Sequence, residues 1–300
     1  NTSELRAAYN EMLPVVTDFF TALGQDMALF ERFQYIKSSE EYATLTPAQK
    51  QKLEHDLRDF VLSGAQLPDD KKARFSEVQN QLAALAAQFS QNLLDATDDF
   101  SLYFEDKEAL KGIPEDSLAM FAAAAGEKGG YKVGLQMPHY LAIMQYADNR
   151  ELREQLYKAY VTRASDLGNK DWDNTPIIDA RLKLTEEEAL LLGFDNYDQL
   201  SVETKMVDSP EEVITFLTDL AARAKQFAKK DYQQLVQYAQ QKLGIADPQV
   251  WDLTYATEKL KQEKYAFSAQ EVKNYFPASK VIQGLFGLID QLYQVRFVPK

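Results

Sequence analysis

Apolar residues recur along most of this chain at intervals of three and four, the spacing that gathers side chains on one face of a helix. Leu53, Leu57, Phe60 and Val61 share such a face. Ahead of them, Thr46-Pro47-Ala48-Gln49 reads as a capping box with proline at the first helical position, and Gly64 follows the apolar run as a stop. After Pro68 a longer helix is predicted from Asp69 to about Ala96, with Val78, Leu82, Leu85, Phe89 and Leu93 as its stripe. At 1.5 Å per residue it is a rod of about 40 Å. Ser209-Pro210-Glu211-Glu212 opens another helix through Val213, Phe216, Leu217, Leu220, Ala224 and Phe227, with Gly244 as a late stop. Ser268 with Glu271 repeats the device. The last helix follows Pro277, with Val281, Leu285, Leu288 and Leu292 pointing inward. Its Gly284 and Gly287 each cost about 1 kcal/mol in a helix, which predicts close packing against a neighbour.

One region breaks the helical period. Phe100-Ser101-Leu102-Tyr103-Phe104 alternates and is aromatic, and Tyr131-Lys132-Val133-Gly134-Leu135-Gln136 alternates too. They read as a small antiparallel strand pair, near 101–106 and 131–136, flanking a helix from Pro114 to Ala125, with Gly129-Gly130 returning the chain. The predicted class is therefore mainly α. No fixed-period repeat occurs, so a solenoid is not expected. The one candidate internal boundary is the polar loop from Leu167 to Thr175, too short for a domain linker.

Composition supports this picture. Of 300 residues 45% are apolar, enough for a sizeable core without staples. Gly and Pro number only 12 and 10, against a usual share of about one residue in eight, so turns are few and elements long. Cysteine is absent, which removes disulfides, thiol nucleophiles and cysteine-ligated zinc, and fits a cytoplasmic chain. The net charge of −13 repels a phosphate backbone, so nucleic acid is not an expected partner. No apolar run approaches the roughly 20 residues of a membrane helix; the densest, Leu118 to Ala125, is mostly alanine. The chain opens on Asn1-Thr2-Ser3 and closes on Phe297-Val298-Pro299-Lys300, and both ends read as cut.

The candidate chemistry is sparse. The two histidines, His55 and His139, stand 84 positions apart. A helical zinc site needs two histidines four apart; His55 is followed at that spacing by Asp59 and His139 by Ile143. His139, after Pro138, reads as a loop histidine hydrogen-bonded nearby, and His55 as solvated. No G-x-S-x-G elbow and no G-x-G-x-x-G occurs. Gly129 and Gly134 have the outer spacing of a P-loop, but Leu135 stands where its lysine must be. A calcium loop begun at Asn169 needs Gly at 174 and Glu at 180, and finds Asn174 and Ala180. Asp69-Asp70, Asp98-Asp99 and Glu186-Glu187-Glu188 read as helix starts or solvated faces, because adjacent helical residues diverge by about 100°. Tyr146, Tyr157 and Tyr160, or Tyr255 and Tyr265, either line a cleft and hydrogen-bond a ligand or sit at the core edge with their hydroxyls in water. No catalytic, cofactor-binding or metal-binding residue is assigned from these patterns.

Several blocks resemble a known family. Asp148-Asn149-Arg150-Glu151-Leu152-Arg153-Glu154, running on to Tyr157, Tyr160 and Thr162-Arg163-Ala164-Ser165, is similar to the middle of the thimet oligopeptidase family of zinc metallopeptidases. The similarity continues through Trp172-Asp173-Asn174, Ala189 to Tyr197, Lys205-Met206, Trp251-Asp252 with Tyr255, Tyr275-Phe276-Pro277, and Val281 with Gly284-Leu285-Phe286. Upstream, Tyr42-Ala43-Thr44-Leu45, Leu57 to Gly64 and Leu94-Asp95-Ala96-Thr97 fit as well. Thr185 and Val207 depart from the arginine and alanine the family places there.

The family's H-E-x-x-H helix, its downstream glutamate ligand and its transition-state tyrosine and histidine lie C-terminal to the matched region, beyond Tyr293-Gln294-Val295-Arg296-Phe297. The resemblance thus implies an internal fragment: 1–300 as one mainly helical unit, the non-zinc portion of a zincin-like oligopeptidase, walling one side of a substrate channel. It implies a parent metallopeptidase of the cytoplasm that hydrolyses short peptides with zinc. This segment would bind no zinc itself and be inactive alone, while Tyr255, Tyr265 and Tyr275 would contact peptide. The competing reading is a free-standing helical binding or scaffold module.

Overall fold

A computed structural model describes residues 2–266 and 269–298. In chain order its α-helices are α1 (Ser3–Gly24), α2 (Met27–Ser38), α3 (Glu41–Thr44), α4 (Pro47–Leu62), α5 (Asp69–Asp99), α6 (Glu115–Ala125), α7 (Met137–Tyr146), α8 (Arg150–Thr162), α9 (Thr175–Leu191), α10 (Tyr197–Val202), α11 (Pro210–Lys242), α12 (Val250–Tyr265), α13 (Ala269–Lys273) and α14 (Ala278–Tyr293). The two strands β1 (Ser101–Phe104) and β2 (Tyr131–Gly134) pair antiparallel, with Ser101 opposite Gly134 and Phe104 opposite Tyr131. The fold is mainly α with a small strand pair, as the periodicities require.

The chain forms two compact units, one of Asn1–Asp99 with Thr162–Lys225 and the other of Phe100–Val161 with Gln226–Lys300. The loop from Leu167 to Thr175 lies inside the first.

In the first unit, α4 starts at the predicted capping box: Thr46 Oγ1 accepts from the Gln49 N–H and the Gln49 side chain reaches back to the Thr46 N–H at 2.9 Å. Its Leu53, Leu57 and Phe60 bury against Phe30 of α2, where Phe30 and Phe33 flank the Phe60 ring at 5.7 and 5.5 Å. The long rod α5 runs three residues beyond its predicted end. Of its stripe only Val78 is fully buried; Leu82, Leu85, Phe89 and Leu93 are half-buried. α1 lies along it, tied by a two-bonded pair from Arg6 to Asp95 at 2.6 Å each. α9 is tied to α5 by Arg74 to Glu187 at 2.6 and 2.8 Å and by Gln79 to Glu188 at 2.7 Å. Two members of the acidic run 186–188 are therefore interhelical partners instead of a solvated face. Asp98-Asp99 closes α5 and does not start a helix.

In the second unit, Phe121, Val133, Leu135, Ile143, Leu152 and Leu156 form the centre of the core, bringing α6, β2, α7 and α8 together. Gly129 and Gly130, both at φ +70°, return the chain as expected. His139 sits in the first turn of α7 instead of a loop, and its Nδ1 accepts the Gly134 N–H at 3.1 Å.

Two expectations at the C-terminal end fail. Val281, Leu285, Leu288 and Leu292 are about half exposed, and a Cβ at Gly284 or Gly287 would meet nothing within 4 Å. Among the described residues nothing covers that face, so neither inward burial nor close packing explains it. Ser268 lies outside the described residues, so its cap to Glu271 is not placed. At the start of α11, Ser209 Oγ accepts from the Glu212 N–H, but the Glu212 carboxylate accepts from the Asp208 N–H and not from Ser209.

Candidate functional site: an ionic and aromatic cluster on α8 and α12

The densest polar chemistry lies in the second unit, where the N-termini of α8 and α12 meet. Asn149 begins α8 by accepting the Leu152 N–H at 3.1 Å. Asp148, just before it, receives no such freedom: its N–H donates to the Lys111 carbonyl at 2.9 Å. Gly112, next along, stands at φ +91°, and a Cβ there would come within 2.3 Å of the Tyr146 carbonyl oxygen. Only glycine fits that approach.

α12 begins at Gln249, whose N–H donates to Asp252 Oδ2 at 3.0 Å. The same carboxylate, fully buried, accepts Arg153 Nη2 at 2.7 Å and Arg150 Nη2 at 2.9 Å. Arg153 is itself 1% exposed and donates Nη1 to the Ala147 carbonyl at 2.6 Å. Burial alone would raise the Asp252 pKa; the hydrogen bonds from Arg150, the Gln249 N–H and Arg153 outweigh it and hold the carboxyl below its usual value. Two arginines around one buried carboxylate satisfy what desolvation would otherwise make very costly.

Tyr255, one turn further along α12, is buried, and its hydroxyl donates to Asp148 Oδ1 at 2.8 Å. The Arg153 guanidinium lies 4.2 Å from its ring centroid and Lys259 Nζ 5.0 Å. Burial first, and then the bond to Asp148, push its pKa up to about 12. Beside it Trp251 meets Tyr157 with centroids 6.2 Å apart. Elsewhere in this unit Tyr140 and Tyr160 stack at 4.0 Å.

At neutral pH this arrangement holds Asp252 ionised between two arginines and Tyr255 as a phenol that keeps its proton, donated to Asp148. It offers no free base and no activated nucleophile. What it does is lock α8 to α12 through charge-assisted bonds. Tyr255 thus spends its hydroxyl inside the protein, Tyr146 is buried, and Tyr265 and Tyr275 stand exposed at 65% and 75%. His139 is pushed toward its neutral form by burial and by the charge of Lys132. Its Nδ1 is already an acceptor for Gly134. His55 is exposed on α4, with Nε2 2.6 Å from the Gln51 amide nitrogen. Among the described residues no group of three His, Asp or Glu side chains could hold a metal ion.

Pairing across about 100 residues leaves no periodic trace, so the link from Arg150 and Arg153 to Asp252 was not legible as a bond. The members were visible in another way: Asp148 to Glu154 and Trp251-Asp252 with Tyr255 are two of the blocks that carry the family resemblance, and they meet here.

The comparisons with known proteins agree with those blocks. The sequence profile described as Peptidase family M3 matches residues 143–300, and that described as Neurolysin/Thimet oligopeptidase, N-terminal domain, matches residues 1–72. The chain belongs to peptidase family M3. It is 41% identical over 299 residues to oligopeptidase A of Salmonella typhimurium, covering 98% of this chain and 44% of that protein. It is 40% identical over 304 residues to oligopeptidase A of Haemophilus influenzae, covering 100% and 45%. The probable cytosolic oligopeptidase A of Arabidopsis thaliana is 37% identical over 311 residues, covering 100% and 44%. The chain therefore spans less than half the length of these relatives.

Proposed function

We propose that the chain is part of a zinc-dependent oligopeptidase that hydrolyses short peptides. In this reading it supplies helical channel wall and peptide contacts but not the metal site. The observation that carries the proposal is identity of about 40% to proteins named oligopeptidase A across 98–100% of this chain, together with the M3 match. The residues present do not fit the metal: a catalytic zinc takes three protein ligands, and the described residues offer no such group. No reaction step is therefore assigned to them. Their part is mechanical: Asp252 with Arg150 and Arg153 holds two helices of the M3 region in register, so that neighbouring side chains meet a peptide in one geometry. The domain reading follows the same line, with 1–300 as the non-zinc portion. A cytoplasmic setting accords with the name of the Arabidopsis relative. Nucleic acid and membrane are no part of the reading; among the described residues no helix is long and apolar enough to cross a membrane.

The test is a quenched fluorogenic peptide assay with added zinc, run on this chain and on the full product of its gene. Turnover is expected from the full product, lost on chelation, and none from this chain. Hydrolysis by this chain alone overturns the assignment of the metal site elsewhere. A full product that binds peptides or proteins without cleaving them favours the helical binding module instead.

A further inference from the structure

The first unit carries a groove between α1 and α5, of about 680 Å³, whose walls contain no ionisable side chain. That is unusual in a chain of which 26% is charged. Six carboxamides line it instead: Asn10 from α1, and Asn80, Gln81, Gln88, Gln91 and Asn92 from α5. The rest of the lining is apolar: Leu13 and Pro14 from α1 and Ala83, Ala84 and Ala87 from α5.

The amides are held at both ends. Gln91 Nε2 donates to Asn10 Oδ1 at 2.8 Å, and Asn80 Nδ2 donates to Asp18 Oδ1 at 2.6 Å. Each bridge uses one half of an amide and leaves the other half. Asn10 keeps its NH₂ donors and Gln91 its carbonyl acceptor. Asn80 Oδ1 is buried without a partner among the described residues, a state that favours a ligand able to bring a donor to it. Pro14 has no N–H, so the Asn10 backbone carbonyl lacks its usual helical donor. Gln81 and Gln88 are exposed and seven residues apart, which places them on the same side of α5.

We infer that this groove binds an uncharged stretch of extended peptide, resting on the oligopeptidase reading for the ligand's class and on the groove's own chemistry for its place. A carboxamide donates and accepts as a peptide unit does, so a row of them matches the N–H and C=O groups along an extended backbone. From Asn80 to Gln91 the row spans about 16 Å, the reach of about five extended residues. The lining side chains offer an anion no counter-charge, and the Asp18 carboxylate at one end is held by Asn80. The alanines of the lining leave room for small and medium apolar side chains between the backbone contacts.

The experiment uses this chain and the blocked pentapeptide acetyl-Gly-Leu-Ser-Leu-Gly-amide, followed by calorimetry and by the side-chain NH₂ resonances of ¹⁵N-labelled protein. Saturable binding is expected, shifting several carboxamide resonances and changing less than about twofold between roughly 50 and 500 mM salt. The double variant Gln81→Leu with Gln88→Leu, both exposed and so expected to fold, should weaken binding about tenfold. Ala84→Glu, also exposed, should weaken it at least as much by placing a charge in the groove. Circular dichroism confirms that both variants keep the helical fold. Absence of saturable binding, affinity that both variants leave unchanged, or binding that collapses with salt overturns the inference. Because no turnover is measured, none of these outcomes bears on whether the full product hydrolyses peptides.

Discussion

The guanidinium of Arg153 and the carboxylate of Asp252, 99 positions apart in the chain, meet at 2.7 Å, and both are shielded from solvent, at 1% and 0% exposure. A buried pair of this kind contributes little relative to an apolar pair of the same shape, but breaking one side strands the other charge. Asp252→Ala should therefore destabilise the second unit by about 3–5 kcal/mol, more than loss of any surface pair in this chain. Urea unfolding followed by circular dichroism measures the difference. A change within about 0.5 kcal/mol would show that Arg153 finds another partner.

The same contact fixes a pH dependence. Asp252 has a depressed pKa when folded, so its contribution is fully present above the unfolded carboxylate value of about 4 and is lost as pH falls through the folded value. The stability gap between the native chain and Asp252→Asn should be widest near neutrality and close below about pH 4. Paired urea curves at several pH values test the sign; a gap that widens on acidification contradicts it.

Tyr255 should ionise late. Burial and the bond to Asp148 keep its proton until about pH 12, while Tyr265 and Tyr275 are open to water. Absorbance at the phenolate band should show a late-ionising component, to which Tyr42 beside Glu54 and Tyr238 beside Glu263 also contribute, and Tyr255→Phe should diminish it by one group. The same substitution should cost about 1–2 kcal/mol, the order expected for losing one part-buried side-chain hydrogen bond.

Asn174 in the first unit offers a parallel case with neutral groups. It is 2% exposed, donates Nδ2 to the Phe89 carbonyl at 3.1 Å, and accepts from Asn92 at 2.9 Å. Asn174→Ala should cost about 1–3 kcal/mol and speed hydrogen exchange across 163–175, because it unpins that loop from α5. Unaltered exchange there would show that the single turn Lys170–Trp172 holds the loop unaided.

Three glycines should respond in opposite directions. Gly112→Ala drives a Cβ to 2.3 Å from the Tyr146 carbonyl at φ +91° and should destabilise by several kcal/mol or block folding. Gly284→Ala and Gly287→Ala meet open space in a helix and should each stabilise this chain by about 0.5–1 kcal/mol. Thermal melts of the three variants decide it; a destabilising Gly284→Ala would mean that the α14 face is covered in solution.

What the sequence determined by itself is the local structure. Thr46 with Gln49, the stripe along α5, the alternation within each strand and the Gly129-Gly130 return all depend on neighbours within a few residues, where period and capping chemistry act directly. The family was legible too, because ordered blocks of residues carry it without any need to know which of them touch. Only the tertiary structure decided partnership. Glu187 and Glu188 looked like a solvated run until α5 brought Arg74 and Gln79 to them. Tyr255 looked like a candidate for ligand contact until Asp148 took its hydroxyl. The apolar stripe of α14 looked inward, yet no described element lies against it. The physical reason is the same in each case. A helix face repeats every 3.6 residues and writes itself into the sequence, whereas an ion pair or a covered face is made by residues about a hundred positions apart, and nothing in either segment records the other.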